Sequence, residues 1–103
     1  MSLPVVFRPE ARTEVVEAWV WYEEQRPGLG DEMVACLDAA VAAASRNPEA
    51  YARNYGEARR ALVRRFPYAV FYMVEGGELV VLAVAHTSRK PGYWADRIRT
   101  RQT

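Results

Sequence analysis

The residues best suited to chemistry in this 103-residue sequence are its only histidine, His86, and two arginines, Arg65 and Arg89. Such a set could cleave RNA without a metal ion, in a reaction in which a 2′-hydroxyl attacks its own phosphate. The guanidinium groups would stabilise the charge that builds on the phosphate oxygens. The imidazole of His86 would take or give the proton. We therefore predict His86, Arg89 and Arg65 as catalytic residues.

Four further residues could hold the RNA strand itself. Arg64 and Lys90 flank the catalytic candidates and would attract phosphate groups, while Tyr93 and Trp94 could stack on unpaired bases. Each residue also has a simpler structural interpretation. A lone histidine at a strand end is more often a hydrogen-bonded structural residue, and neighbouring arginines are often solvated side chains paired with glutamates.

The net charge of +1 conceals a strong asymmetry along the chain. Residues 1–50 contain four arginines and nine acidic residues, a net of −5. Residues 51–103 contain nine arginines, one lysine and four acidic residues, a net of +6. A basic second half favours an anionic partner such as a nucleic acid.

The composition excludes several other classes of protein. Half of the residues are apolar, which is too many for a disordered chain. One cysteine and one histidine cannot supply the roughly four ligands of a zinc site, and no phosphate-binding loop is present, so we expect no cofactor. The longest apolar run, from Leu79 to Ala85, is too short to span a membrane, and no signal peptide is recognisable. A cytoplasmic location is therefore expected.

The first half of the sequence predicts one strand and two helices. The strand covers Leu3 to Phe7, and an amphipathic helix follows from Pro9 to about Gln25, where a Pro-Gly pair prevents its continuation. A second helix begins near Asp31 and stops at Asn47-Pro48. Because only a few residues join them, the two helices are predicted to form an antiparallel hairpin. Trp21 lies off the apolar stripe of the first helix and could mark a partner surface.

The second half of the sequence predicts mainly strands. Residues 49–58 lack a clear period and indicate a loop, and three strands follow over residues 59–66, 68–75 and 78–87. Gly76-Gly77 forms a two-residue hairpin turn, and residues 93–101 can form a short basic helix. The order β-α-α-β-β-β-α belongs to the α+β class, with the helical hairpin on one face of a small, mainly antiparallel sheet. We expect a single domain over residues 1–103.

The two-residue turn also predicts which residues face each other on the last hairpin. The predicted pairs are Val74–Leu79, Tyr72–Val81, Val70–Ala83 and Tyr68–Ala85. This register places His86 at the open end of the hairpin, on the same face as Ala69 and Phe71. The cations predicted at that same edge of the sheet are Arg64, Arg65, Arg89 and Lys90.

Several segments resemble the RelE/ParE superfamily of bacterial toxins from toxin–antitoxin systems. The first is Trp-Tyr-Glu-Glu-Gln-Arg-Pro-Gly-Leu-Gly at residues 21–30, and the others are Arg65-Phe66-Pro67-Tyr68 and His86-Thr87-Ser88-Arg89. The resemblance covers nearly the whole chain in the same order of elements. It implies the α+β fold described above and a concave basic face on the sheet. It also implies a cognate antitoxin whose C-terminal segment wraps the toxin and covers that face.

The resemblance implies a toxin of a toxin–antitoxin, or plasmid stabilisation, system with one of two targets. One branch of the superfamily cleaves mRNA in the ribosomal A site, and the other poisons DNA gyrase without cleaving RNA. We predict the first activity, a metal-independent, ribosome-dependent mRNA endoribonuclease. Gyrase inhibition is the alternative, and a degenerate toxin that only binds its antitoxin is a third hypothesis.

Individual positions carry this resemblance into the site. Arg89 matches the arginine that the RNA-cleaving branch uses at the phosphate, and Tyr93 or Trp94 would replace its C-terminal tyrosine. Ala69, however, stands where that branch has an arginine in the middle strand. Loss of one such donor typically lowers a rate by about 10²–10³. Arg65 or His86 would therefore have to compensate.

Overall fold

The computed structural model of the protein describes residues 2–90 and 92–99. Over these residues the chain forms β1 Val5–Phe7, α1 Pro9–Gln25, α2 Leu29–Arg46, β2 Arg53–Tyr55, β3 Ala58–Leu62, β4 Tyr68–Glu75, β5 Glu78–His86 and α3 Asp96–Arg99. A short 3-10 turn at Pro48–Ala50 follows α2. Residues 100 and 101, the end of the predicted terminal helix, lie outside the described residues.

The strands form one sheet in the order β1-β5-β4-β3-β2. β1 runs parallel to β5, and the other neighbouring strands are antiparallel. The predicted α+β class and the antiparallel helical hairpin on a mainly antiparallel sheet are confirmed. β2 is an addition to the predicted order, since it lies within residues 49–58, which were predicted as a loop. Its three residues are all exposed, so they produce no apolar period that a sequence pattern could reveal.

The corner between α1 and α2 depends on two glycines and a glutamate. Gly28 adopts a left-handed conformation with φ of 89°, which allows α2 to begin two residues earlier than predicted. The Glu23 carboxylate accepts hydrogen bonds from the backbone N–H groups of Gly28 and Asp31, at 3.0 and 3.2 Å, and so satisfies donors at the start of α2. At Gly30 a Cβ atom would lie 2.7 Å from the carbonyl oxygen of Trp19, so the helices approach closely here.

Both faces of the sheet are buried. The larger core lies between the sheet and the helical hairpin, and it includes Met33, Leu37 and Tyr72, all almost completely buried. A second core on the opposite face contains Leu82 and Trp94, because the C-terminal segment crosses that face. The sequence predicted helices on one face only, and the second cover is a finding of the structure.

A bulge in β5 shifts the register of the β4–β5 hairpin. The predicted pairs are confirmed as far as Tyr72–Val81. Leu82 is then an extra residue, and the β4 residues from Phe71 back to Tyr68 each pair one position further along β5 than predicted. The pairs predicted for Val70 and Tyr68 are therefore wrong. The turn determines the register only up to the first bulge.

The bulge changes the surroundings of His86. His86 pairs with Tyr68, and their ring centroids lie 5.3 Å apart. Tyr68 packs against the core on the helix side of the sheet. His86 therefore pairs with Tyr68 at the end of the sheet and not in the register predicted on the face of Ala69 and Phe71, yet it still borders a cleft that these two residues line.

Candidate functional site

A small cleft of about 80 Å³ opens at the end of the sheet where β5 finishes. Small and aromatic side chains of the sheet and the C-terminal segment form its floor. The polar residues around it, which we call the basic cleft, are Asn54, Arg60, His86, Arg89 and Lys90. Among the described residues that line the cleft there is no carboxylate. The cleft is therefore suited to an anionic group.

Arg60 is a member of the basic cleft that sequence reasoning missed. It lies on β3 directly opposite Phe71 on β4, and Ala69 also lines the cleft nearby. The pairing of β3 with β4 thus places an arginine beside the small residue that stands where the RNA-cleaving branch has its own arginine. The signal that could have found Arg60 is the register of β3 against β4. No turn of defined length joins these strands, so the sequence does not determine that register.

His86 is exposed and has a defined hydrogen-bonding state. Its Nδ1 accepts a hydrogen bond from the backbone N–H of Ser88 at 3.1 Å and lies 2.8 Å from the Ser88 hydroxyl. Because Nδ1 acts as an acceptor, the ring proton of neutral His86 is on Nε2. The Nε2 N–H of His86 is therefore a hydrogen-bond donor.

Arg89 is held by an aromatic ring. Its guanidinium carbon lies 3.8 Å from the centroid of the Tyr93 ring, which is a close cation–π contact. The Tyr93 hydroxyl donates a hydrogen bond of 2.6 Å to Glu14. Burial, the hydrogen bond to Glu14 and the charge of Glu14 together raise the pKa of Tyr93. Tyr93 therefore supports Arg89 and uses the ring face that a stacked base would need.

Glu14 organises the side of the site away from the basic cleft. Its carboxylate accepts hydrogen bonds from the backbone N–H of Val84 at 2.9 Å and from both terminal nitrogens of Arg97 at 3.0 and 3.1 Å. Arg97 also donates to the carbonyl oxygen of Leu82 at 2.9 Å. β1 ends at Phe7, so these two side chains satisfy the edge of β5 that β1 leaves unpaired. Glu14 and Arg97 were both missed by sequence reasoning, since nothing local relates them.

Arg64 and Arg65 do not line the basic cleft. Arg65 adopts φ of 72°, and its Nη2 pairs with Glu32 on α2 at 3.0 Å. The hydrogen bond from Arg65 lowers the pKa of the Glu32 carboxyl. Arg64 and Arg65 line a separate groove along α2. Their side chains therefore line a groove apart from the basic cleft, although they precede Pro67, whose carbonyl accepts a hydrogen bond from the Thr87 N–H at 2.8 Å at the predicted end of the sheet.

A series of aromatic contacts connects Arg65 to His86. Arg65 lies over the ring of Phe66, at 5.5 Å. A row of edge-to-face contacts then runs through three rings to the imidazole, in the order Phe66, Tyr22, Tyr68 and His86. Arg65 therefore lines the groove along α2, whereas His86 lines the basic cleft.

Trp94 is buried, and its predicted role in base stacking is therefore wrong. It is 1% exposed and packs against Phe71 and Tyr55, with centroid separations of 4.8 and 5.7 Å. The rings of Trp94 and Phe71 belong to the second core, in which Trp94 provides an apolar cover over the sheet. The position of Trp94 near the end of the sequence concealed this role, because terminal residues of a small domain are usually exposed.

The described part of the chain contains neither a metal-binding cluster nor a membrane-spanning helix. No group of three histidine, cysteine, aspartate or glutamate side chains lies there in an arrangement that could hold a metal ion. No helix over residues 2–90 and 92–99 is long and apolar enough to cross a lipid bilayer. The basic cleft is thus the candidate site that the geometry itself provides.

One comparison with known proteins shows the family of the chain, and a second shows a similar fold. A family profile described as "ParE toxin of type II toxin-antitoxin system, parDE" matches residues 5–91. Among solved structures, the chain is similar to one described as "Chromosomal ParDE TA system from P. aeruginosa", with a TM-score of 0.73 and 15% sequence identity. That alignment covers 82% of this chain and 96% of the other, and at this identity it concerns the fold. No curated protein was found to match the chain.

Proposed function

Because the chain belongs to the ParE toxin family of type II toxin–antitoxin systems, we propose that it stops growth by binding DNA gyrase and does not cleave RNA. The pairing of Arg65 with Glu32, in a groove apart from the cleft that His86 lines, is the observation that carries this proposal. The sequence favoured cleavage of mRNA over inhibition of gyrase. We now prefer inhibition of gyrase.

RNA cleavage needs a proton acceptor, a proton donor and a charge-stabilising group at one phosphate. Among the described residues that line the basic cleft, His86 carries the one imidazole. The predicted helper Arg65 is paired with Glu32, and Ala69 contributes no charge. Arg60 and Arg89 can attract a phosphate, but the Tyr93 hydroxyl is already hydrogen-bonded to Glu14, and the carboxylates of Glu14 and Glu17 line the adjoining groove rather than the cleft. This arrangement supports binding rather than catalysis.

Binding is well served by the same residues. Arg60, Arg89 and Lys90 are all exposed around one cleft, and no described lining residue opposes their charge there. A concentration of one sign of charge accelerates association with an oppositely charged partner and orients it. Gyrase bound to its DNA presents such a partner, since DNA carries a dense negative charge.

A cognate antitoxin is the second partner in this proposal. The solved relative is described as a ParDE toxin–antitoxin system. We expect a small protein encoded beside this gene, with an acidic or amphipathic tail that covers the basic cleft. Such a tail would compete with the target for the same cations. Toxin, antitoxin and gyrase would then meet in the cytoplasm.

Induced expression in bacteria tests the choice of target. We expect growth arrest with DNA damage and accumulated gyrase–DNA cleavage complexes, and no codon-phased cuts when mRNA 5′ ends are mapped. Codon-phased cuts without gyrase complexes would overturn the proposal in favour of the ribonuclease. Absence of any growth arrest would overturn it in favour of a degenerate toxin that only binds its antitoxin.

Two triple variants supply a matched control for this experiment. One replaces Arg60, Arg89 and Lys90 with glutamine, and it should abolish growth arrest because it removes the charge of the basic cleft. The other replaces Arg46, Arg53 and Arg64, which are exposed cations outside the cleft, and it should remain toxic. Both variants lose three positive charges, so a difference between them reports on position rather than on net charge.

A further inference from the structure

Two half-exposed aromatic side chains flank the basic cleft. Trp21 on α1 is 54% exposed, and Tyr55 on β2 is 51% exposed. Large aromatic side chains are normally buried, so two open rings beside one charged cleft indicate a surface that contacts a ligand. Neither ring was among the residues predicted to stack on bases.

Trp21 is continuous with the cleft. It lines a second groove together with Tyr68, His86 and Arg89, and the last two of these also line the basic cleft. An edge-to-face contact with Tyr22, at 5.0 Å, supports the indole ring from behind. The two grooves therefore meet at His86 and Arg89 and form one surface.

Tyr55 stands on the other side of the cleft. It follows Asn54, which lines the cleft, and its ring packs at 5.7 Å against Trp94, which forms part of the floor. The ring also lies near Gly92, where a Cβ atom would meet it at 3.4 Å. Tyr55 is thus held in place at one edge while half of its surface stays open to solvent.

From this arrangement we infer that the surface from Tyr55 through the basic cleft to Trp21 binds a single strand of nucleic acid. Phosphate groups contact Arg60, Arg89 and Lys90, and bases stack on the two open rings. Surfaces that combine a positively charged groove with exposed aromatic rings are typical of single-strand binding. A duplex would not suffice, because its bases are already stacked on each other and are not available to the rings.

The strand-binding surface extends the proposed function. It rests on that function only for the identity of the strand, DNA or RNA. Under gyrase inhibition the strand is DNA exposed in the gyrase complex. A strand of RNA would present the same phosphates and bases, and separate arms of the test distinguish the two sources.

One carboxylate works against the ligand and provides a sharp test. Glu17 is exposed and lines the groove between Trp21 and Arg89. The neighbouring Glu14 is already neutralised by Arg97, with N–O distances of 3.0 and 3.1 Å. A strand that follows this groove would pass close to the negative charge of Glu17. Removal of that charge should therefore strengthen binding.

The binding experiment uses the full purified chain and fluorescent oligonucleotides of about 12 nucleotides, a length suited to one small binding module. Poly-dT, poly-U and a DNA duplex are compared by fluorescence anisotropy at several salt concentrations. We expect binding to one or both single strands that weakens steeply with salt, and much weaker binding to the duplex. Tighter binding of poly-dT or of poly-U identifies the source of the strand. Equal binding of duplex and single strand, or no binding of either single strand, would overturn the inference.

Matched variants then test the residues. Trp21→Ala and Tyr55→Ala should each weaken binding by about 5- to 100-fold, as expected for the loss of one stacked base, whereas Val20→Ala on the exposed side of α1 should have no effect. Arg60→Gln should weaken binding and Arg64→Gln should not. Glu17→Gln should strengthen binding several-fold while Glu24→Gln leaves it unchanged. Wild-type affinity in both aromatic variants would overturn the inference.

The same preparations separate this inference from the proposed function. A protein that inhibits gyrase but binds no single strand contradicts the inference and leaves gyrase inhibition standing. A protein that binds poly-U and cuts it contradicts the proposed function and supports the strand-binding surface. Thermal melts of each variant confirm that the replaced side chains, which are exposed, do not alter the fold.

Discussion

Glu14 on α1 and Arg97 in α3 form a two-point ion pair across 83 positions of the sequence, with N–O distances of 3.0 and 3.1 Å. Both side chains are largely buried, with exposed fractions of 13% for Glu14 and 15% for Arg97. The same carboxylate accepts the hydrogen bond of Tyr93, whose ring supports Arg89. Through Tyr93, the Glu14–Arg97 pair in this way helps to fix the position of Arg89 in the basic cleft.

Glu14→Gln should destabilise the fold strongly. It leaves the buried guanidinium of Arg97 without its counter-charge, and loss of one partner of a buried pair typically costs about 3–5 kcal/mol. Urea unfolding followed by tryptophan fluorescence measures the change in the free energy of unfolding. Glu24→Gln, at an exposed position on the same helix, should stay within about 0.5 kcal/mol of the wild type. Equal stabilities of the two variants would contradict the role assigned to Glu14.

Gly30→Ala should also be destabilising. The added Cβ would meet the Trp19 carbonyl oxygen at 2.7 Å, and backbone atoms of a helix cannot easily move away. Overpacking of this kind costs about 1–3 kcal/mol, which outweighs the better helix propensity of alanine. Ala42→Ser on the exposed side of α2 is the control and should change stability very little. Greater thermal stability of Gly30→Ala would show that the helices are not in close contact here.

Tyr72 should make stability depend on alkaline pH. Burial raises the pKa of Tyr72 to about 12, although the charge of Arg59 opposes the shift. In the unfolded chain tyrosine releases its proton near pH ~10, so the unfolded state binds fewer protons than the folded state between the two values. The contribution of Tyr72 is therefore fully present below about pH 10 and is lost, by about 2–3 kcal/mol, as the pH rises to about 12.

Comparison with Tyr72→Phe isolates this effect. The variant loses the hydrogen bond from the Tyr72 hydroxyl to the Pro48 carbonyl, so it is less stable near neutral pH. Because it cannot ionise at this position, the difference in the free energy of unfolding between variant and wild type should narrow as the pH rises. Leu62→Ala, which removes an exposed side chain that does not titrate, should show a constant difference. A constant difference for Tyr72→Phe as well would contradict the assignment.

Arg65→Gln distinguishes the two mechanisms expected from the sequence. As a catalytic residue Arg65 would be required for toxicity, whereas here it pairs with Glu32 away from the cleft. We expect growth arrest and gyrase inhibition close to those of the wild type. Growth curves after induction, with matched protein levels on immunoblots, provide the measurement. Loss of toxicity in a folded Arg65→Gln protein would return Arg65 to the active surface.

The helices and the hairpin turn could be predicted because their signals are local. Apolar residues repeat at helical spacing in α1 and α2, and Gly76-Gly77 requires a tight turn. The end of α1 follows from Pro27-Gly28, and the pairing next to the turn follows from the two glycines. Strand β2 lacked such a signal, since its exposed residues have no apolar alternation.

The candidate site was less accessible to prediction, and the reason is the range of its contacts. His86, Arg89 and Lys90 could be placed together because they are close in sequence and lie at the end of one strand. The bulge at Leu82 leaves no mark in residue types, yet it changed the neighbours of His86. Arg60 reaches the cleft through a pairing between strands that the sequence does not determine.

The central claim, that the protein acts on gyrase by binding, is tested most directly with purified components. Relaxed plasmid, gyrase and ATP are incubated with increasing amounts of the toxin, and supercoiling is followed on agarose gels beside a ribosome-dependent mRNA cleavage assay. We expect loss of supercoiling with accumulation of cleaved, gyrase-bound DNA, while mRNA on ribosomes stays intact. Undiminished supercoiling together with cleaved mRNA would contradict the claim.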